Sequence, residues 1–96
     1  MNQNDVLAIV LKHQIELQKM GVKFLNLFGS FARNEAREDS DVDFFVEFNR
    51  PVSLFDFLAI KLYLEDILGR SVDLGTLETL RENSRKPALQ DVIDVF

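Results

Sequence analysis

The chain has no cysteine, and with it go the disulfide framework, the thiolate metal site and the cysteine nucleophile. Such a composition fits a reducing compartment, and a cytoplasmic location is the expectation. Basic residues are also scarce, with 11 Lys and Arg against 16 Asp and Glu and a formal net charge of -5. Nonspecific duplex binding draws its affinity from Lys and Arg pairing with phosphates, so direct nucleic-acid binding is not expected and any polyanion must bind at a local site. Long apolar runs are missing as well. The longest charge-free stretch, Phe24 to Ala32, is about half of what a membrane-spanning helix needs. The six apolar residues from Val6 to Leu11, bracketed by Asp5 and Lys12, are too few for an export signal, and no membrane association is expected. Histidine occurs once, at His13, and no G-x-S-x-G elbow surrounds Ser30, which argues against a serine nucleophile.

What is present is a core. Apolar residues make up 47% of the 96 positions, nine of them Phe, and a chain this short is expected to fold as one domain over residues 1–96. From about Asn4 to Met20, Val6, Ile9, Val10, Leu17 and Met20 recur at helical spacing, with a thinner stripe of Leu7, Leu11 and Ile15. His13 falls on the apolar side of this helix, where a packed or interface histidine is the default. Gly21 suits a C-cap. Val22 to Phe28 is nearly continuous apolar, the pattern of a central strand covered on both faces.

A short helix is expected to begin near Ser30. Val42 to Phe48 then alternates, with Val42, Phe44, Val46 and Phe48 on one face and Asp43, Phe45 and Glu47 on the other. Ser53 with Asp56 three residues on is a capping-box pattern that opens a long helix ending at Gly69. Ser71 to Thr76 reads as a third strand, and the tail as a helix from Pro87 with Leu89, Val92, Ile93 and Phe96 on its apolar side. The fold class is therefore α+β (mixed α/β), a small mixed β-sheet flanked by helices. The long helix is apolar around most of its circumference, with Lys61 and Glu65 in one narrow polar strip. So small a domain cannot bury such a helix all round, which points to a protein interface.

The chemistry-bearing stretch is Leu27-Phe28-Gly29-Ser30-Phe31-Ala32-Arg33, followed by Asp41-Val42-Asp43. A Gly-Ser pair leaving a strand and opening a helix presents unpaired backbone N–H groups with partial positive charge, a cradle for phosphate. Gly29 lets the backbone approach a ligand, Ser30 adds a hydroxyl donor, and Arg33 is placed to reach a nucleotide phosphate. Asp41 and Asp43 alternate at the start of a strand, about 6.6 Å apart, and can converge on hard cations. Asp73, between Val72 and Leu74, repeats the anomaly of a carboxylate within an apolar strand. If the two strands are neighbours, three carboxylates meet beside the Gly-Ser turn.

Gly29-Ser30, ten intervening residues and Asp41-Val42-Asp43 resemble the signature of the nucleotidyltransferase superfamily related to DNA polymerase beta. The phrase Leu27 to Arg33 and the short length are most like the minimal nucleotidyltransferase (MNT) branch, antitoxin partners of HEPN-domain RNase toxins. The resemblance implies the nucleotidyltransferase fold, with Asp41, Asp43 and Asp73 as catalytic residues holding two Mg²⁺ ions, and Gly29, Ser30 and Arg33 binding ATP. It further implies transfer of AMP to a tyrosine of the toxin and a hetero-oligomer with that toxin. The same resemblance admits a noncatalytic antitoxin that inhibits by occlusion. The branch commonly continues Ala-Arg-Gly, whereas this chain reads Ala32-Arg33-Asn34; Asn is the next best residue for a left-handed turn.

Overall fold

The structure, a computed structural model, describes residues 1–76 and 92–96. Helix α1, Gln3–Lys12, is opened by a capping box in which the Asn2 side chain accepts from the Asp5 N–H and Asp5 accepts from the Asn2 N–H. The helix expected to run unbroken to Met20 is interrupted at His13, and α2 covers Gln14–Lys19. At the break His13 takes φ −106° and ψ 14°, and its side chain meets α4, with Nδ1 2.9 Å from the Tyr63 hydroxyl and the two rings edge to face. The main stripe survives the break. Val6, Val10 and Leu17 are fully buried, while Leu11 and Ile15 of the thinner stripe are exposed.

Strand β1, Val22–Phe28, runs straight into the four-residue helix α3, Gly29–Ala32, and strand β2 follows at Val42–Phe48. Helix α4, Leu54–Leu68, has the expected capping box between Ser53 and Asp56 and ends on Gly69 in the left-handed conformation. Strand β3 is Val72–Thr76 and β4 is Ile93–Asp94. The sheet order is β3-β2-β1-β4, with β1 antiparallel to β2 and β4, and β2 parallel to β3. This is the small mixed sheet expected.

Two expectations are corrected. The tail helix lies partly outside the described residues, but Ile93 and Asp94 are strand, pairing with Leu27 and Asn26. The Leu25 N–H donates to the Phe96 carbonyl at 3.2 Å, and the Val95 N–H to the Leu25 carbonyl at 2.9 Å. Pairing in this way satisfies backbone groups that β1 would otherwise leave open on that side. Secondly, β1 is central in the order yet not covered on both faces, since Phe24 is 47% exposed.

The core fills one side of the sheet. Leu25, Leu27, Val42, Phe44, Val46, Val72, Leu74 and Val95 pack with Val6, Val10, Leu17, Ile60, Leu64 and Leu68 of the helices. By strand alternation the other side carries Phe24, Asn26, Phe28, Asp43, Phe45, Glu47, Asp73, Gly75, Asp94 and Phe96. Helix α4 buries Ile60, Leu64 and Leu68 but leaves Leu54, Phe55, Leu58 and Leu62 in solvent, Phe55 at 81%.

Candidate functional site

The carboxylates sit where β2 and β3 enter the sheet. Parallel pairing places Asp43 directly beside Asp73, inside a register that also matches Val42 with Val72 and Phe44 with Leu74. The strands thus bring the two acidic positions together on the open face, while their flanking residues are buried on the other. Asp41 lies one residue before β2, exposed, and the Val42 N–H donates to the Ser71 carbonyl at 3.0 Å to start the pairing.

Asp43 bears the strain of this arrangement. Its pKa is raised from 3.8 to about 6, first by burial, then by the charges of Asp73 and Asp41, with Arg33 opposing. Asp43 therefore feels both of the other carboxylates. Among the described residues no group of three or more His, Asp or Glu side chains is gathered to metal-ligating distance; Asp43 and Asp73 are register neighbours and Asp41 couples to Asp43 by charge alone. A half-buried carboxylate destabilised by two others, with hard oxygen donors only, is nevertheless the environment a divalent cation such as Mg²⁺ relieves.

The Gly-Ser turn is part of the same cluster. Gly29 has φ +74°, and a Cβ placed there would collide with Asp43 Oδ2 and lie 3.1 Å from Asp43 Cγ. Glycine is required on both counts, backbone conformation and close approach. Helix α3 closes in a Schellman arrangement, with the Glu35 N–H donating to the Ser30 carbonyl at 2.8 Å and the Asn34 N–H to the Phe31 carbonyl at 3.1 Å. Asn34 takes φ +59°, so the left-handed turn expected of Asn in place of Gly is kept. Arg33 is exposed and ion-paired with Glu35 at 3.1 Å, yet near enough to Asp43 to act on its charge.

Two residues that sequence reasoning missed hold these parts in place. Arg70, just before β3, donates through Nη1 to the Ser40 carbonyl at 3.0 Å and the Arg37 carbonyl at 3.3 Å, and its guanidinium lies 5.4 Å from the centre of the Phe31 ring. It ties the loop before Asp41, the helix after Gly29 and the strand carrying Asp73 to one point. Gln3 donates to the Ala32 and Phe31 carbonyls at 2.8 and 3.3 Å, capping the end of α3 from the start of α1. No periodicity marks either residue, because their partners lie about thirty positions away.

The Gly-Ser turn thus stands against the Asp-x-Asp strand, with Asp73 in register with Asp43 on the next strand. The family model described as "Nucleotidyltransferase domain" matches residues 9–94. The chain belongs to the nucleotidyltransferase family. The protein adenylyltransferase MntA of Thermococcus cleftensis is 39% identical over 92 residues, covering 95% of this chain and 93% of that protein. A candidate protein adenylyltransferase of Methanocaldococcus jannaschii is 38% identical over 100 residues, with both chains covered in full. Among solved structures, a candidate minimal nucleotidyltransferase superposes with TM-score 0.81 at 34% identity, covering 97% of this chain and 95% of that one. One chain of a complex between the tri-AMPylated Shewanella oneidensis HEPN toxin and an MNT antitoxin shares the fold, with TM-score 0.68 at 17% identity, covering 98% of this chain and 71% of that one. This nucleotidyltransferase is thus an enzyme of the minimal branch. Among its described residues no helix is long and apolar enough to cross a membrane.

Proposed function

We propose that this nucleotidyltransferase is a Mg²⁺-dependent protein adenylyltransferase that acts as an antitoxin, transferring AMP from ATP to a tyrosine of a cognate HEPN RNase toxin. The observation that carries the reading is the in-register pair Asp43 and Asp73 beside Gly29, a destabilised carboxylate cluster against a turn with no room for a side chain. The names of the full-length relatives support the protein acceptor, and the MNT–HEPN complex supports the class of partner. Asp41, Asp43 and Asp73 would hold Mg²⁺, which when bound neutralises charge on the triphosphate. Gly29 and Ser30 receive the β- and γ-phosphates, with Arg33 released from Glu35 to join them. The acceptor oxygen bonds to the α-phosphorus as the bond to the bridging oxygen breaks and pyrophosphate leaves. Asp73, exposed on β3, would take the acceptor's proton. The work of the chain is positioning and electrostatics.

A second reading, inhibition by occlusion alone, rests on the exposed Leu54, Phe55, Leu58 and Leu62 of α4, an apolar strip suited to a protein partner in either case. Incubation with ATP, Mg²⁺ and the toxin encoded beside it, followed by intact-mass measurement of the toxin, separates the two. Added AMP units that vanish with Asp43→Ala are expected; an unmodified toxin that is still inhibited by the double variant of Asp41 and Asp43 to Ala would establish occlusion.

A further inference from the structure

We propose that the open face of the sheet carries an acceptor subsite that binds a cationic side chain, arginine best of all, from the protein segment bearing the target hydroxyl. The inference rests on the adenylyltransferase reading and names what selects its acceptor. A cavity of about 310 Å³ lies on this face, lined by Phe24, Asn26, Phe45, Glu47, Asp94 and Phe96. The strand register lays these residues out as a grid. Asp73 and Asp43 stand side by side with Phe28 across from Asp43; in the next row Phe45 faces Asn26, which faces Asp94; in the row beyond, Glu47 faces Phe24. At about 6.6 Å per two residues the cavity begins one step from Asp43 and ends two steps away, about 7 to 13 Å along the sheet. Phe45 joins the two regions, its ring stacked on that of Phe28 with centroids 3.8 Å apart.

Position selects the acceptor as occupant. Along the strand direction the Gly29-Ser30 turn follows Phe28 on one side of the Asp43–Asp73 row, and the cavity, which starts at Asn26 and Phe45, lies on the other side. Attacking and leaving oxygens are roughly in line in phosphoryl chemistry. With pyrophosphate leaving on the side of the turn, the hydroxyl enters from the side of the cavity, so the residues flanking that hydroxyl pass over it.

Chemistry selects a cation. Three phenyl rings form the walls, and the two carboxylates, Glu47 and Asp94, form no ion pair within 4.0 Å among the described residues. With the Asn26 amide nitrogen turned inward it donates to Asp94 Oδ1 at 3.3 Å, holding that carboxylate at the rim. The Phe24 ring already accepts a cation from outside, with Lys23 Nζ 5.2 Å from its centroid. A planar guanidinium stacks on a ring and pairs with a carboxylate at once, whereas the negative rim disfavours a phosphate-bearing ligand.

The test uses two synthetic tyrosine peptides alike except for Arg or Glu three residues from the tyrosine, with the full chain, ATP and Mg²⁺. The wild-type chain is expected to modify the arginine peptide with kcat/KM about tenfold higher, in line with one stacked and paired cation. In Glu47→Gln combined with Asp94→Asn that ratio should fall to near one, and in Glu47→Lys it should invert. A ratio unchanged by these variants overturns the subsite, as does a variant that raises KM for ATP while keeping the peptide preference, which would mark a nucleobase pocket. Amide shift perturbation on titrating the arginine peptide without ATP reads the subsite independently of transfer. Perturbation centred on Phe24, Phe45 and Glu47 supports it even if no transfer occurs and the adenylyltransferase reading fails. Equal perturbation by the glutamate peptide, or none, overturns it.

Discussion

The two faces of the sheet are made by the same strands and have opposite characters. On the covered face Val42, Phe44, Val46, Val72 and Leu74 are buried against α1, α2 and α4. One residue along each strand, on the open face, stand Asp43 and Asp73. The covered face is complete as it stands, since no buried side-chain nitrogen or oxygen among the described residues lacks a partner. By contrast, the open face holds a carboxylate pushed to about 6 with like charges beside it. Stability and chemistry are thus divided by side-chain parity and not by region of chain.

Neighbouring substitutions test that division most sharply. Phe44→Ala should cost about 3 to 5 kcal/mol, read as a fall in the denaturant midpoint with an unchanged slope. Asp43→Asn, next door, should lower nucleotidyl transfer on the order of a thousandfold without lowering the thermal midpoint of the metal-free chain. A large loss of stability in Asp43→Asn would break the comparison. Arg70→Ala reaches both faces, and transfer should fall about tenfold through kcat more than through KM for ATP, as hydrogen bonds from a charged donor are lost. Arg70→Lys should recover only part of it, because an ammonium cannot bridge two carbonyls and cover a ring as a guanidinium does. Full recovery would reduce Arg70 to a simple charge.

The smallest effect is one of pH. Asp43 is raised, so between about pH 4 and pH 6 the folded state binds more protons than the unfolded one, and stability from this group falls as pH rises through that window. For a half-exposed carboxyl the size is on the order of 1 kcal/mol after solvent screening. Melting the metal-free chain from pH 4 to pH 7 should show a decline that flattens in Asp43→Asn, and a rise would reverse the assignment.

Local chemistry was legible in the sequence. The Ser53–Asp56 capping box, the Gly69 cap, the alternation of β2 and the Gly-Ser to Asp-x-Asp spacing all stand in the structure as read. Long-range pairing was not. Val92, Ile93 and Phe96 fit a helical spacing equally well, and only the pairing of Ile93 with Leu27 and Asp94 with Asn26 makes a strand of Ile93–Asp94. Val6, Val10 and Leu17 fit one unbroken helix, whereas the backbone at His13 leaves the helical region, at a residue whose side chain meets Tyr63 fifty positions on. Asp73 was recognised as out of place in an apolar strand, but its seat beside Asp43 depends on β3 lying parallel against β2.

That parallel register has a further consequence. Side chains alternate with a period of two, so sliding β3 by a single residue along β2 would drive Asp73 into the hydrophobic interior and push Val72 and Leu74 out into water. The interior therefore acts as a gauge for the carboxylates, rejecting every pairing misaligned by an odd number of residues through the energy of the apolar side. In this chain folding sorts the site as it forms, because burying Val72 and Leu74 is what turns Asp73 to the same face as Asp43.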